Sequence, residues 1–418
     1  MLGSNIKSVN TFNTKKYVQV SALISKSIVI ILFFVLLFVS DDESKTQGSI
    51  YVFHISANTY YFVFGLVTLG LVVSIISKGI TYDRISFLLV IRLVLFSLFS
   101  FLLYLVQVLD TEFQIGILLT YYICLAAYLW GKNVIDQKWL CKILFISLVI
   151  ILLQLIATFI GRGLSFSDVN SMKWYMVIPL GQTNTIGCYT IGIMIYLCSF
   201  YRKNLIKFAT IIISLLIILL TYSRASLLVF AIYITYLIIK TILSSKINGI
   251  KTFIVLFVFA VLCALLFTFF GQFDILGRFT FDSLTSSRFQ VYKEGFELFF
   301  NYPFTGVGAY SFKIYDSVKA HNWILESLIE SGIIVSCIYF AILYFLYKKI
   351  KYRNKRMLAF LVFYLIHGLV EPNLFTINLD CFFWLLASVC IYGNREKDNI
   401  NEKFISNNRI LSKRANTP

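Results

Sequence analysis

Twelve apolar runs, each near the length that crosses a bilayer, dominate the chain. They cover residues 20–40, 59–77, 86–108, 113–130, 140–160, 184–200, 205–222, 226–243, 252–270, 331–347, 357–371 and 379–394. A helix rises about 1.5 Å per residue, so about 20 mostly apolar residues span ~30 Å of hydrocarbon. Composition agrees: 59% of residues are apolar and only 14% charged, against ~25% charged in soluble domains. An ordinary soluble enzyme, a disordered chain and a secreted disulfide scaffold are thereby excluded, leaving an all-α integral membrane protein. Four prolines (Pro179, Pro303, Pro372 and Pro418) leave long stretches free of the strongest helix breaker. The eight cysteines lie in or beside apolar runs without a Cys-x-x-Cys pair, so neither disulfides nor zinc sites are expected. The first run follows a basic tail and lacks a small-residue cleavage site, so no cleavable signal peptide is expected.

Charge tests this division. The net charge is +17, but the basic residues lie in the short links between runs rather than in a patch suited to nucleic acid. With both termini inside, the inner segments and adjoining span ends hold 26 of the 37 Lys and Arg residues, but only 5 of the 20 acidic ones. The Lys/Arg bias is the mark of cytoplasmic loops. The expected organisation is a basic cytoplasmic tail (1–19), nine spans (20–270), a large extracytoplasmic loop (271–330), three spans (331–394) and a second basic tail (395–418). The tails read as mobile segments drawn to the inner leaflet. Lys26 and Arg92, inside spans but near the inner surface, read as snorkelling cations.

The loop 271–330 is the one long connection, and long loops on rigid scaffolds carry recognition or chemistry. Two runs earlier, runs seven and eight are separated only by Tyr222-Ser223-Arg224-Ala225, short enough for a re-entrant feature. Arg224, with Ser223 and Ser226 beside it, suits either an anionic diphosphate or a snorkelling interfacial position. Within the loop, Arg288 opens a stretch in which Phe289, Tyr292, Phe296 and Phe299 recur at helical spacing. This pattern predicts an amphipathic helix on the outer face, with Arg288 at its positive N-terminal end. Gly306-Val307-Gly308 predicts a tight turn or a close backbone approach.

His321-Asn322 precedes a second amphipathic helix, in which Asn322, Glu326 and Glu330 share one stripe. His321 reads either as a proton acceptor at a cavity mouth or as an interfacial histidine. His367 and Glu371, four apart near the outer end of the eleventh run, either line the same site or link helices by hydrogen bonds. Asn184 opens the sixth run and suits helix capping or sugar binding.

In order, Asn184, Tyr222-Ser223-Arg224-Ala225-Ser226, Arg288, Gly306-Val307-Gly308, and His321-Asn322-Trp323 with Glu330-Ser331-Gly332 resemble the O-antigen polymerase/ligase superfamily across about residues 180–375. The N-terminal half shares only its hydrophobic spans. The resemblance implies a GT-C-like fold of about twelve spans and an inverting glycosyltransferase at the outer face of the bacterial cytoplasmic membrane. Its donor would be an undecaprenyl-diphosphate-linked glycan, with no cofactor and no metal. The chain shows no Asp-x-Asp motif and no nucleotide-binding glycine loop.

By the same resemblance, Arg224 and Arg288 bind and neutralise the diphosphate, and His321 orients or deprotonates the acceptor hydroxyl. Asn184, Ser223, Asn322, Glu330 and Glu371 contribute to substrate binding or to orienting the catalytic groups. A second lipid-linked glycan is the expected acceptor of a polymerase, and lipid A-core that of a ligase. Membrane lipid, a chain-length regulator and a flippase are the further partners implied. A polysaccharide-unit flippase is the rival from another class. Such a transporter would place polar groups deep within several helices, whereas the charged residues singled out here gather at one boundary and in one loop.

Overall fold

The structure, a computed structural model, describes residues 3–40, 50–79, 82–106, 113–134, 136–165, 175–244, 281–309, 320–371 and 376–393, by backbone alone at 3–18, 133–134, 241–244 and 281–289. It is an all-α membrane protein, about 82% helical. The helices are α1 (Gly3–Phe38), α2 (Thr59–Lys78), α3 (Arg84–Val106), α4 (Ile115–Val134), α5 (Gln137–Gly161), α6 (Thr183–Phe200), α7 (Asn204–Thr221), α8 (Arg224–Ser244), α9 (Phe281–Asn301), α10 (Trp323–Arg353), α11 (Leu358–His367) and α12 (Ile377–Tyr392). The strands β1 (Val39–Ser40) and β2 (Ile55–Ser56) make a two-residue parallel pair.

Among the described residues, eight helices are long and apolar enough to cross a membrane: α1 from Gln19, α2 to α7, and α10. The expected ninth span, 252–270, and the tail 395–418 lie outside the described residues. The N-terminal tail, expected to be mobile, is helical from Gly3, continuous with the first span; no Gly or Pro interrupts 4–38.

α6 and α12 form the centre. Nearly every residue of both is buried, as expected for helices that are apolar all round. α12 packs mainly on α4, and α6 on α7 and α11. One end of the bundle is tied together at Asp83, in the link between α2 and α3. Its carboxylate meets Lys132 at 3.6 Å, accepts from Tyr128 Oη at 2.9 Å, and also accepts from Lys349 and Tyr392. α4, α10 and α12 are thus joined at this end. Burial pushes the Asp83 carboxyl up, but hydrogen bonds from Lys349, Tyr392 and Ser86 outweigh it and hold its pKa well below the usual carboxylate range.

Arg92 does not snorkel. It is 3% exposed, with its guanidinium 4.2 Å from the Tyr121 ring centroid and 4.1 Å from that of Tyr339. Its Nη1 contacts Cys124 Sγ at 4.0 Å, and Asp380 lies within electrostatic reach. Two aromatic faces and a carboxylate give this cation an interior site, so it need not extend to the surface.

At the opposite end the backbone is broken twice. α10 joins the expected amphipathic helix and the expected tenth span into one element, kinked at Gly332 (φ 63°, ψ 179°). The groups freed by the kink are taken up by the segment after α9: Val307 N–H donates to Ile329 O (2.8 Å), Gly308 N–H to Glu330 O (2.9 Å), and Ile333 N–H to Pro303 O (2.8 Å). Gly306, at φ 65°, lies so close that a Cβ there would strike the Glu330 and Gly332 backbone. The close approach expected of Gly306-Val307-Gly308 is therefore to the protein's own chain.

The second break follows α11. The expected span 357–371 is a three-residue 3-10 turn followed by ten α-helical residues, about 15 Å of α-helix, well short of the hydrocarbon thickness. Pro372 disfavours helical geometry at Glu371. The end of α11 finds partners in the start of α10: Trp323 N–H donates to Gly368 O (3.0 Å) and Trp323 Nε1 to Leu365 O (3.0 Å). Irregular backbone at membrane depth is tolerated where protein groups satisfy it in this way.

Two outcomes follow from this packing. Gly332→Ala forces a left-handed alanine against the Phe304 carbonyl and should cost at least about 1–2 kcal/mol, read as a lower melting temperature in detergent. Asp83 contributes stability that is whole above about pH 5 and is lost as pH falls through its depressed folded pKa. Asp83→Asn should therefore destabilise at pH 7, by roughly 3 kcal/mol, and flatten the loss of stability of the wild type between pH 5 and 3.

Candidate active site

Four chain segments converge at the end opposite Asp83. The first is the start of α6. The turn before it closes with an Ile178–Gly181 bridge, and Gln182 is the N-cap residue, making no side-chain cap. The helix begins one residue before Asn184, so Asn184 does not cap it. Its Nδ2 instead donates to Glu371 Oε2 at 2.9 Å.

The second segment is the break between α7 and α8. Tyr222 takes a left-handed conformation (φ 50°) at the C-cap of α7. Ser223 Oγ then accepts from Ser226 N–H at 3.4 Å, the geometry of a helix N-cap. A left-handed residue and a cap therefore make the reversal, and Arg224 is the first residue of α8, half-buried.

The third segment is the corner before α10. His321 is the other non-glycine residue with positive φ (54°) among those described. Asn322 caps α10 through Oδ1, accepting from Ile324 and Leu325 N–H, while its Nδ2 donates to Leu369 O at 3.3 Å. Glu326, 2% exposed, folds back to accept from Ala320 N–H at 2.6 Å. Contacts on both sides thus hold His321 in a sparsely populated conformation, a pattern that gathers at functional sites.

The fourth segment follows α11. Glu371 is 3% exposed and is the hub: the Oε2 that accepts from Asn184 also lies 3.6 Å from His321 Nδ1. The His321 side chain is 32% exposed, so the ring is backed by a buried carboxylate and still reaches solvent. One helical turn deeper, His367 is fully buried, with Nε2 3.0 Å from Ser226 Oγ and Nδ1 3.5 Å from Cys188 Sγ. Ser226 Oγ lies 2.9 Å from Ser223 Oγ. His367 therefore links α6, α8 and α11 by hydrogen bonds, while Glu371 faces His321.

Of the residues singled out from the sequence, Asn184, Ser223, Arg224, His321, Asn322 and Glu371 lie at this end of the bundle. Glu330 is buried at the α10 kink, within electrostatic reach of Tyr121 and so beside the Arg92 cluster. Arg288 is not at a helix start: α9 begins at Phe281, so Arg288 lies in its third turn, beyond the first-turn reach of the helix dipole. Its side chain lies outside the described residues, as do Asp274, Arg278, Lys313, Asp316 and Lys319 of the same loop. α9 packs on α10 through Val291 and Gly295. The sequence reading missed Cys188. The signal was available: Asn184 and Cys188 are four apart, as are Glu371 and His367, and the two pairs match rung for rung.

Fold and site together define a multi-pass, all-α membrane protein with a buried polar centre at one end of its helix bundle. Residues 209–340 match the O-antigen ligase family, which bears out the resemblance to the O-antigen polymerase/ligase superfamily. The matched stretch holds Ser223, Arg224, Arg288, His321, Asn322 and Glu330, while Asn184, His367 and Glu371 lie outside it. No curated protein matches the chain significantly.

The spacing between α6 and α8 is set by Gly187, where a Cβ would collide with Ser226 Oγ. Gly187→Ala should cost about 1–3 kcal/mol by overpacking, and Ser226→Ala in the same chain should recover part of it. Thermal melting of the two single variants and the double variant checks this; strictly additive losses would contradict the contact.

Proposed function

We propose that the protein polymerises undecaprenyl-diphosphate-linked oligosaccharide units into O-antigen, capsular or extracellular polysaccharide at the outer face of the bacterial cytoplasmic membrane. The observation that carries this reading is the partly exposed His321 backed by the buried Glu371, at the same end of the bundle as Arg224 and joined to it through the family-matched stretch. The Lys/Arg bias assigns that boundary to the outside and the Asp83 end to the cytoplasm. About twelve spans, both termini inside, complete the arrangement.

In this mechanism Arg224 and Arg288 hold the donor diphosphate. Their contacts strengthen as negative charge develops on the leaving group, which lowers the barrier. His321 takes the proton of the acceptor hydroxyl, whose oxygen attacks the anomeric carbon. The bond from that carbon to the diphosphate oxygen breaks, polyprenyl diphosphate departs, and the configuration inverts. Glu371 orients His321 and stabilises the imidazolium, as a carboxylate does behind a histidine base. Asn184 fixes Glu371, and Asn322 fixes the corner that presents His321. Ser223 and Glu330, both buried, act by holding the α8 start and the α10 kink in place. No step requires a metal or a cofactor.

The acceptor distinguishes two readings. A polymerase uses a second lipid-linked unit, and a ligase uses lipid A-core. The family match, described as O-antigen ligase, supports a transferase of this ligase/polymerase type and leaves the acceptor to experiment. Surface glycan in a deletion strain separates them: single units attached to core mark a missing polymerase, whereas full-length chains accumulating on carrier lipid mark a missing ligase. In the complemented strain, His321→Ala should lower chain elongation by about 10²–10⁴-fold, and Arg224→Ala and Arg288→Ala by about 10²–10³-fold each. Membrane levels should be unchanged, and Glu371→Gln should be impaired less than His321→Ala. Full elongation in all of the first three variants would reject the assignment.

A further inference from the structure

A second feature lies at the far end of the bundle, with the Asp83 cluster and away from the candidate active site. The end of α6, the start of α7, the last turns of α8 and the start of α11 enclose a cavity of about 430 Å³. Arg202, Lys207, Lys240 and Arg356 line it, and among the described residues no carboxylate does. Tyr233 and Tyr236 form one wall, stacked at 6.1 Å, with the Lys240 ammonium 5.5 Å from the Tyr236 ring. A second cavity of about 520 Å³ adjoins it, sharing Tyr236, Lys240, Arg356 and Ala359. Lys355 adds a fifth cation there, but the remaining lining is apolar: Leu358, Val362 and Phe363. The neighbouring outer surface carries Leu205, Phe208 and Ile239, at least half exposed and suited to lipid.

The mechanism uses none of these groups. Four cations lining one cavity, with no carboxylate among the described residues that line it, suit an anion. An apolar extension opening from the same cations calls for an anion that bears a hydrocarbon chain. We propose that this double cavity is a binding site for an anionic phospholipid of the inner leaflet, its phosphate held by Lys207, Lys240 and Arg356 and its upper acyl chain lying along Leu358, Val362 and Phe363. Basic pockets between spans on the cytoplasmic side hold lipid headgroups by the same chemistry. Such a lipid fastens the start of α11 to α6 and α8, the three helices that His367 joins at the other end.

The test titrates the purified full-length chain in detergent with dioleoyl-phosphatidylglycerol, dioleoyl-phosphatidylcholine or inorganic phosphate. Native mass spectrometry reads bound lipid, and melting temperature reads stabilisation. Phosphatidylglycerol should bind and raise the melting temperature above the level reached with phosphatidylcholine. Each cation beside an anionic headgroup contributes about fivefold in affinity. Lys207→Gln with Arg356→Gln should therefore weaken phosphatidylglycerol binding about 30-fold. The charge-keeping pair Lys207→Arg with Arg356→Lys should retain it, which separates loss of the site from loss of the fold. Lys138→Gln with Lys142→Gln, at the same end but outside the cavity, should also retain it. Equal effects of the two lipids overturn the proposal. So does an equal effect of inorganic phosphate, or an equal loss in the Lys138/Lys142 pair.

Discussion

A carboxylate buried at the edge of a membrane needs hydrogen bonds or an opposite charge, because its desolvation costs several kcal/mol otherwise. Asn184 from α6 supplies Glu371 with a hydrogen bond, and the His321 ring from the corner before α10 lies 3.6 Å from the same oxygen. Those partners lie 187 and 50 residues away along the chain, so the requirement draws distant segments to one point. The shortness of α11 follows from the same demand. Trp323 of α10 reaches the last carbonyls of α11, and His321 just before it approaches Glu371, because the helix stops at His367 and the chain turns before Pro372.

The two ends of the bundle solve opposite problems. At the Asp83 end, one carboxylate gathers Lys132, Lys349 and two tyrosines, closing the link regions into a fixed base. At the Glu371 end, the left-handed residues Tyr222 and His321 and the kink at Gly332 leave backbone groups that neighbouring segments satisfy. Strain and irregularity are thus concentrated at the candidate site, on a scaffold held firmly at its other end.

Much of this architecture was legible in the sequence, because hydrophobic runs of fixed length report directly on membrane crossing. The spans α1 to α7 fall close to their expected positions, and Tyr222-Ser223-Arg224 marks a sharp break in the pattern. Long-range partners were not legible. Nothing in the local sequence around Arg92 reveals that Tyr121 and Tyr339 sandwich it, so snorkelling was the natural but mistaken reading. Of the two readings of Asn184, capping fails because α6 already begins at Thr183. Arg288 lies inside α9 rather than at its start: apolar periodicity marks a helix face better than a terminus. For the candidate site, spacing identified His367 with Glu371 and placed His321 beside Asn322. Only the fold brings Asn184 and Glu371 to within a hydrogen bond, and the roles of these residues rest on the proposal above.

The central claim is that this membrane boundary transfers glycan from a lipid carrier. The most direct measurement mixes purified wild-type protein in detergent micelles with undecaprenyl-diphosphate-linked repeat units and follows product length. A micelle has no second compartment, so transport is not measured. Glycans of two or more units, formed with release of undecaprenyl diphosphate and without added nucleotide sugar or metal, are the predicted result. Intact starting units after prolonged incubation with folded protein, whether lipid-linked units or lipid A-core are offered as acceptor, would contradict the account.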